Sequence, residues 1–424
     1  MPGAGTRTAT TRSEPPARCL DITRLVSRVG RGPDTGVDRV ERAYLEHLIG
    51  RDAPLYALCR TAFGHVLLDR AGLTAIAARL SGDLPWGPPD LIGRLSRRLT
   101  PARQAAESDL RRHALGRARR ARLGALLRRY LPEGTAYLNV GHSDLGSEVF
   151  AAWRALPGAR ISVLIHDTIP LDHPEFQRPG TPERFAGILR RTGAEADLVI
   201  CNSAHTRSRA EHHFSRLGRV PETLVAPLGV TPASADPSGI PAAIDLSRPV
   251  FLALGTIEPR KNHALLLDVW ARLRAEVAAE DLPQLVIAGS RGWENEAVFR
   301  RLDSLPPGAG VLEVSGLADA AIAALMERAA ALLFPSRAEG FGLPPVEAAA
   351  RGTPVICSDL PVFREFLGDY PVYADPQDVY FWAQSIRKTM AEQMQAGRSR
   401  AAIRRTPITL PSWNEHFNLV FRMT

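Results

Sequence analysis

Short apolar runs alternate with helix-length stretches along nearly the whole chain, and this alternation constrains the fold more than any other feature. Most of these runs are continuously apolar, which is typical of strands buried on both faces of a parallel sheet. Strands separated by helical stretches indicate repeated βαβ units. The predicted strands are Cys19–Thr23, Pro54–Cys59, Ala136–Val140, Ile161–Ile165, Leu198–Cys201, Leu224–Ala226, Val250–Leu254, Leu285–Ala288, Val311–Val314, Ala331–Phe334 and Val355–Cys357.

The segment Thr231–Ser247 divides this pattern into two halves, because it is rich in Pro, Ser and Ala and poor in charged and aromatic residues. A chain of 424 residues is long enough for two domains. We therefore predict an α/β fold with two Rossmann-like, doubly wound parallel-sheet domains that face a cleft. The predicted divisions are a disordered tail at 1–17, a first domain at 18–235, a linker at 236–248, a second domain at 249–408 and a C-terminal helix at 409–424.

Composition narrows the class of protein and its compartment. Apolar residues make up 45% and charged residues 23%, the balance of a globular protein. The four cysteines are far apart and form no CxxC pair, so we expect buried free thiols rather than a zinc site or disulfides. No apolar run approaches the roughly 18 residues of a membrane span, and the N-terminal residues lack the apolar core of a signal peptide. These features predict a cytoplasmic protein.

The positive charge is concentrated and consists almost entirely of arginine. The net charge is +8, and only two residues, Lys261 and Lys388, are lysines. The segment Arg94–Arg129 holds twelve arginines and predicts one or two helices with a leucine and alanine face. Its arginines form either a solvated helix face or a basic surface for a membrane or lipid phosphate. Nucleic acid is disfavoured, because no aromatic residue interleaves these arginines before Tyr130.

The segment Phe334–Pro354 predicts a strand, a glycine loop and a helix, in the order that aims backbone N–H groups at an anion. Two carboxylates, Glu339 and Glu347, lie eight residues apart in the loop and helix. Carboxylates repel phosphate but accept hydrogen bonds from sugar hydroxyls. The segment therefore predicts a site for a nucleotide that carries two sugars.

A second segment, Val250–Asn262, runs from a strand into a turn with two adjacent cations. The strand ends at Gly255, and Arg260 and Lys261 precede Asn262, which is placed to cap a helix. The alternative is an exposed Arg-Lys pair without function. A lysine retained in so arginine-rich a chain favours a diphosphate site.

These blocks resemble a known family. EGFGLPPVE, at Glu339–Glu347, is similar to the E-x7-E signature of the retaining nucleotide-sugar glycosyltransferases of family 4, which have the GT-B fold. GTIEPRKN, at Gly255–Asn262, resembles the diphosphate-binding turn of that family. The similarity runs from about Leu20 to the C-terminus. The supporting segments of the first half are IHDTIP at Ile165–Pro170, TGVDRV at Thr35–Val40 and CNSAHTR at Cys201–Arg207.

The resemblance implies a role for each matching residue. Glu347 would hold the ribose hydroxyls of the donor, and Glu339 would hold hydroxyls of the transferred sugar. Arg260 and Lys261 would neutralise the diphosphate, and His166 would lie against the donor sugar. The implied catalytic set is therefore His166, Arg260, Lys261 and Glu339. The other implied donor-binding residues are Gly36, Gly255, Gly316, Leu317, Gly340, Phe341, Gly342 and Leu343.

The resemblance also implies the reaction and its partners. A sugar, with mannose on guanosine diphosphate as the first candidate, would pass with retention to a glycan or a lipid-linked acceptor. The first domain would face the acceptor, the second would bind the nucleotide sugar, and the C-terminal helix would cross back to the first domain. No cofactor, metal or nucleic acid is expected. Peripheral contact with an anionic membrane, at its inner face, is a further expectation.

Other readings stay open. His142 and Asp144 also follow a buried strand and are candidates for facing the acceptor. GRGPDTG, at Gly30–Gly36, does not fit the G-x-G-x-x-G spacing, so a dinucleotide dehydrogenase is disfavoured. The alternative functions are a nucleotide-sugar epimerase of the same fold and a catalytically idle nucleotide-sugar scaffold.

Overall fold

The computed structural model describes residues 14–32, 34–395 and 404–424. Its first domain contains eight strands, most of them short, and three are buried along their whole length, as expected for a sheet covered on both faces. These strands are β1 (Arg18–Asp21), β2 (Leu55–Thr61), β3 (Gly64–Asp69), β4 (Gly116–Ala118), β5 (Ala136–Asn139), β6 (Arg160–Ile165), β7 (Leu198–Cys201) and β8 (Glu222–Val225).

Ten helices belong to the described part of this domain and cover its sheet. Several begin at a capping side chain, such as Ser203, whose hydroxyl accepts from the backbone N–H of Thr206. The helices are α1 (Thr23–Arg28), α2 (Gly36–Ile49), α3 (Arg70–Leu80), α4 (Leu91–Leu95), α5 (Pro101–Arg112), α6 (Leu123–Tyr130), α7 (Ser147–Arg154), α8 (Ile169–Asp172), α9 (Thr181–Glu195) and α10 (Ala204–Arg216).

The first sheet has the order β4-β3-β2-β1-β5-β6-β7-β8. Six strands are parallel, but β3 pairs antiparallel with both β2 and β4. This antiparallel edge of an otherwise parallel sheet was not predicted. A turn of two residues, Ala62 and Phe63, connects β2 to β3, and such a short connection can join only antiparallel strands.

The second domain has a six-stranded parallel sheet of order β11-β10-β9-β12-β13-β14. Its strands are β9 (Val250–Leu254), β10 (Gln284–Ala288), β11 (Val311–Val314), β12 (Ala331–Phe334), β13 (Val355–Ser358) and β14 (Val372–Ala374). Its helices are α11 (His263–Glu276), α12 (Glu296–Asp303), α13 (Asp319–Arg328), α14 (Leu343–Ala350), α15 (Pro361–Leu367) and α16 (Val379–Gln395). The structure thus has the predicted fold class of two Rossmann-like domains.

The arginine-rich segment differs from its prediction of one or two helices. It contains parts of α4, all of α5, the edge strand β4 and most of α6. Its leucine face is largely buried, because Leu110, Leu123, Leu126 and Leu127 lie in the core of the first domain. The strand interrupts the segment because β4 completes the antiparallel edge of the sheet beside β3.

The last helix, α17 (Trp413–Met423), lies against the first domain. Its Phe417 ring stacks on His47, with ring centroids 3.9 Å apart, and meets the Tyr44 ring edge-on. His416 is hydrogen-bonded to the Tyr44 hydroxyl at 2.8 Å. The chain therefore leaves the second domain and returns to helix α2 of the first.

All four cysteines are buried free thiols, as predicted; they are Cys19, Cys59, Cys201 and Cys357. In the portion of the chain that the structure describes, no helix is both long and apolar enough to cross a bilayer. The predicted tail at 1–17 falls mostly outside the described residues, since the description begins at Glu14.

Candidate active site

A cavity of about 820 Å³ lies between the two domains. Parallel sheets bind ligands at the carboxyl ends of their strands, and the loops after β6, β9 and β12 all reach this cavity. The residues predicted for the donor and for catalysis come together in its wall: Gly36, His166, Gly255, Arg260, Lys261, Gly316, Leu317, Glu339, Gly340, Phe341, Gly342, Leu343 and Glu347.

Glu339 is at the centre of a compact cluster of charges. The Lys261 ammonium donates to its Oε1 at 2.6 Å, and the Arg260 guanidinium lies 2.7 Å from the same oxygen. Arg260 also pairs with Glu258, a carboxylate that is itself buried, at 2.7 Å. The two cations predicted for a diphosphate are therefore positioned by two carboxylates on the floor of the cavity.

Burial and charge pairing act against each other in this cluster. Burial tends to raise the pKa of Glu339, but Arg260 and Lys261 outweigh burial and lower the pKa to about 2. Burial lowers the pKa of Lys261, and the Glu339 carboxylate opposes that effect. For Arg260, the neighbouring carboxylates overcome burial and raise the pKa. The carboxylate is consequently ionised throughout the physiological pH range.

Gly340 allows the loops of the two domains to touch. A Cβ atom at this position would lie 2.1 Å from the carbonyl oxygen of His166, so any side chain would force the domains apart. The Gly340 carbonyl oxygen accepts hydrogen bonds from the hydroxyls of Ser203 at 3.1 Å and Thr206 at 3.2 Å. The glycine loop of the second domain is thereby fixed to the first.

Helix α14 begins beside the cavity with few free backbone donors. Gly342 precedes it at φ 88°, and a Cβ atom there would lie 2.5 Å from the Phe363 ring. Pro344 and Pro345 lack an N–H group, so this helix start offers fewer donors to an anion than an ordinary one. Neutralisation of a diphosphate would therefore depend more on side-chain cations here than the sequence motif suggests.

Glu347 is bound across the cleft by an arginine of the first domain. Arg39, on helix α2, donates to Glu347 at 2.8 Å and to Asp319 at 2.8 Å. Burial raises the pKa of Glu347, and the Arg39 charge opposes that rise. Because both carboxylates belong to the second domain, Arg39 forms an ionic bridge between the domains at the predicted ribose position.

His166 lies in the cavity wall as a neutral imidazole. Burial lowers the pKa of His166 well below its ordinary value, and the nearby His142 ring adds to the effect. The Nε2 atom is 2.7 Å from the Val140 carbonyl, an acceptor, so Nε2 carries the proton. The Nδ1 atom of the neutral ring is then a hydrogen-bond acceptor.

The candidates for facing the acceptor, His142 and Asp144, are outside the set of residues that line the cavity. Asp144 pairs with His65 at 2.7 Å and with Arg60 at 3.4 Å, and only 3% of its side chain is exposed. The His142 ring lies beside His166, with centroids 5.0 Å apart. Both residues adopt a positive φ in the loop after β5. The structure thus shows them in supporting contacts around the cavity.

Sequence reasoning missed the basic wall that the first domain presents to the cavity. Arg24, Arg28, Arg31 and Arg39 all line it. Arg24 and Arg28 bind the carboxylate of Asp38, at 2.7 and 3.1 Å. The signal for Arg39 was available, because it lies within TGVDRV, one helical turn after Gly36. Arg24 and Arg28 belong to α1, which carries no recognisable motif, and Arg31 lies in the turn after that helix.

Asn262 is at the predicted helix start but does not cap it with its side chain. It precedes α11 in the left-handed region, with φ 56°. Its side-chain amide donates to the Pro376 carbonyl at 2.8 Å, and its Oδ1 accepts from Arg337 at 3.1 Å. The side chain therefore braces neighbouring loops.

Comparison with known proteins finds a family match in the second half of the chain. Residues 241–406 match the family model of the glycosyl transferases group 1. The serotype-specific mannosyltransferase WbdA of Escherichia coli is 30% identical over 261 residues, which are 58% of this chain and 31% of WbdA. The O-antigen chain mannosyltransferase B of the same species is 34% identical over 128 residues, which are 30% of this chain and 33% of that protein. The chain thus spans about a third of the length of these relatives.

A solved structure with the same fold covers both domains. The structure of HepE from Anabaena, in complex with UDP and glucose, aligns with 96% of this chain and 97% of its own, with a TM-score of 0.58 and 16% identity. The two domains therefore have the GT-B fold that the sequence predicts. The match of residues 241–406 and the relatives named mannosyltransferases both agree with the resemblance to family 4.

Proposed function

We propose that this protein is a retaining glycosyltransferase that moves mannose from a nucleotide diphospho-sugar to a glycan or lipid-linked acceptor. The observation that carries the proposal is the convergence of Glu339, Arg260, Lys261 and Glu347 in one interdomain cavity. The matched group 1 domain supports the enzyme class. Mannose is chosen because several relatives are named mannosyltransferases.

In the proposed reaction, the bond between the sugar C1 and the diphosphate oxygen breaks, and negative charge grows on the departing diphosphate. Arg260 and Lys261 stabilise that charge, because cations fixed in a partly dry cavity need little reorganisation. Both cations now share Glu339. When the diphosphate attracts them, the carboxylate becomes free to accept hydrogen bonds from the sugar.

Retention follows if the acceptor oxygen approaches C1 from the face that the diphosphate leaves. The diphosphate oxygen that departs can then take the proton of the acceptor hydroxyl. His166 would position the sugar by accepting a hydroxyl hydrogen at Nδ1. A neutral ring whose Nε2–H donates a hydrogen bond to the Val140 carbonyl is suited to this role and unsuited to protonating a leaving group.

The ribose of the donor would meet Glu347 where Arg39 now binds. Arg39 holds a second partner, Asp319, so it can transfer its charge to that carboxylate while the ribose hydroxyls take Glu347. We therefore propose that donor binding exchanges an ionic bridge between the domains for a bridge that runs through the nucleotide.

The acceptor and the location of the enzyme belong to the proposal as well. A lipid-linked acceptor would bring the protein to the inner face of a membrane, with no cofactor, metal or nucleic acid required. The exposed arginines Arg117, Arg119, Arg120 and Arg122 support contact with anionic lipid.

A panel of nucleotide sugars tests the proposal directly. We expect GDP-mannose to raise the melting temperature more than UDP-glucose, UDP-N-acetylglucosamine or ADP-glucose, since a ligand at a hundredfold excess over its Kd stabilises by about 2.7 kcal/mol. Transfer would then release GDP in the presence of an acceptor. Interconversion of the donor without GDP release would indicate an epimerase. Binding without turnover on any acceptor would indicate an idle scaffold.

A further inference from the structure

Helix α4 carries an apolar patch that consists of Leu91, Ile92 and Leu95. Their exposed fractions are 77%, 38% and 75%, which makes the two leucines the most exposed large apolar residues of the described chain. Leu91 and Leu95 are four residues apart, so they project from one face of the helix. Single exposed leucines are common, whereas a cluster of three marks an interaction surface.

Hydrogen bonds and close packing on α5 fix the orientation of α4, so the patch faces outward. Asp90 caps α4 by accepting from the Gly93 N–H at 2.6 Å, and Arg111 binds the same carboxylate through two hydrogen bonds of 2.7 and 2.6 Å. Gly93 packs against α5 so closely that a Cβ atom would lie 2.5 Å from the Ser108 hydroxyl. Helix α4 therefore cannot rotate to bury its leucines without breaking these bonds.

Positive charge surrounds the apolar patch. Arg94, Arg97 and Arg98 are exposed, and within the ranges that the structure covers none of them forms an ion pair with a carboxylate. Asp90, the carboxylate that caps this helix, is bound to Arg111. Apolar side chains with unpaired arginines at their rim are complementary to a surface with an apolar interior and anionic head groups.

We propose that the apolar patch of α4 docks this protein on an anionic membrane surface. Leu91 and Leu95 enter the boundary between head groups and acyl chains, and Arg94, Arg97 and Arg98 bind lipid phosphates. Membrane docking by this patch does not depend on the proposed function. Only its role in delivering a lipid-linked acceptor rests on that function.

The patch is well placed to deliver such an acceptor to the cavity. Helix α5, on which α4 packs, contacts the loop after α1, and a Cβ atom at Gly30 would lie 2.8 Å from that of Ala102. The next residue, Arg31, lines the cavity. One helix therefore separates the docking surface from the cavity wall.

The arginines at 117–122 cannot replace this patch. They are exposed, but the leucines that follow them, Leu123, Leu126 and Leu127, are buried in the core. That segment supplies charge without apolar anchors. Its attraction to a membrane would be screened at high salt, whereas leucine insertion is insensitive to screening.

The test is flotation of the full chain with vesicles of phosphatidylcholine and phosphatidylglycerol, at low and high salt. Leu91→Ser/Leu95→Ser should lower partitioning by roughly tenfold at both salt concentrations. Arg94→Gln/Arg97→Gln/Arg98→Gln should lower partitioning at low salt only. These side chains are exposed, so all variants should fold.

The adjacent pair Arg216→Gln/Leu217→Ser is a matched control, since both residues are exposed at the end of α10, and its partitioning should equal that of the wild type. Wild-type levels for the leucine variant, or no vesicle binding by the wild type, would overturn the docking surface. Dimers that the leucine variant abolishes would overturn it in favour of a second copy of the chain. Stabilisation by nucleotide sugars should be the same in every variant, and its absence from the wild type would count against the proposed function alone.

Discussion

At the scale of single residues, the two cations of the cavity have different surroundings. Arg260 spreads its guanidinium over Glu258, Glu339 and the Ala338 carbonyl. Lys261 has a smaller space, with its ammonium on Glu339 and 4.4 Å from the centre of the Phe334 ring. A compact charge fits this position, whereas the planar fork of arginine is larger and has fixed directions.

Replacement of Lys261 should therefore show a requirement for shape as well as charge. We expect Lys261→Ala to lower kcat by roughly 10²–10³, the scale of one lost transition-state donor. Lys261→Arg should recover only part of that loss. The control is Lys388→Arg, at an exposed position of α16, which should leave kcat unchanged. Full activity of Lys261→Arg would refute the geometric argument.

Replacement of Glu347 should affect nucleotide binding, whereas replacement of Glu339 should affect turnover. Glu347→Ala should weaken binding of the bare nucleoside diphosphate, because ribose is part of that ligand. Glu339→Ala should leave its affinity nearly unchanged and lower turnover of the complete donor. Calorimetry with GDP and steady-state kinetics with the donor measure the two effects. Equal loss of GDP affinity in both variants would contradict this division.

The signature residues could be predicted because glycines, prolines and carboxylates recur there at a fixed spacing. The pairing of Glu347 with Arg39 could not, because residues 308 positions apart meet only after both domains have folded and packed. The supporting position of Asp144 depends on His65 and Arg60, which come from the unpredicted antiparallel edge and its neighbour.

At the scale of elements, helix α17 packs on helix α2 of the first domain through aromatic side chains. Phe417 is 3% exposed, and Phe417→Ala should lower the free energy of unfolding by about 3–5 kcal/mol, the cost of a large buried cavity. Leu419 lies on the same helix with 39% exposure, and Leu419→Ala should cost less than about 1 kcal/mol. Denaturant unfolding measures both, and equal effects would mean that α17 contributes little through its packing.

The arginine-rich segment should contribute charge to membrane contact. Reversal of Arg117, Arg119, Arg120 and Arg122 to Glu should weaken binding to anionic vesicles at low salt and have little effect at high salt. Among the residues that the structure describes, only Arg120 of these four has a carboxylate nearby, Glu148 at 3.5 Å, so the fold should tolerate the changes. Donor KM should stay the same, and a large rise in KM would assign these arginines to the donor instead.

All eleven predicted strands occur, with ends shifted by at most two residues, because continuous apolar runs have few alternatives to a buried strand. Three strands were not predicted: β3, β4 and β14. Strands β4 and β14 have only three residues each, too few for a pattern. Strand β3 follows β2 so closely that the pair reads as one irregular run, and its reversal depends on a turn.

At the scale of the whole molecule, the protein itself should neutralise the negative charge of the donor diphosphate. The sequence contains no D-x-D pair, the carboxylate arrangement with which many other glycosyltransferases hold a divalent cation on the diphosphate. We expect transfer activity to persist in EDTA, because Arg260, Lys261 and the basic wall of the first domain supply positive charge. Activity that disappears in EDTA and returns with Mg²⁺ or Mn²⁺ would overturn this prediction.

The overall architecture was predictable, whereas the contacts between the domains were not. Apolar periodicity indicated two parallel-sheet domains, and the linker composition separated them. The hydrogen bonds from Ser203 and Thr206 are accepted by the backbone carbonyl of Gly340. Every residue has such a carbonyl, so the sequence does not indicate which one is the acceptor. Contacts of this kind depend on the three-dimensional approach of two loops.

Because the chain has only two lysines, an amine-reactive reagent can modify very few of its side chains. Lys261 is enclosed between Glu339 and Phe334, so Lys388, on the exposed side of α16, is the accessible side-chain amine. A succinimidyl ester should therefore attach a single fluorophore or surface tether to the second domain through a side chain. Such attachment would leave the cavity and α4 untouched, and would give an oriented, immobilised protein without any engineered residue.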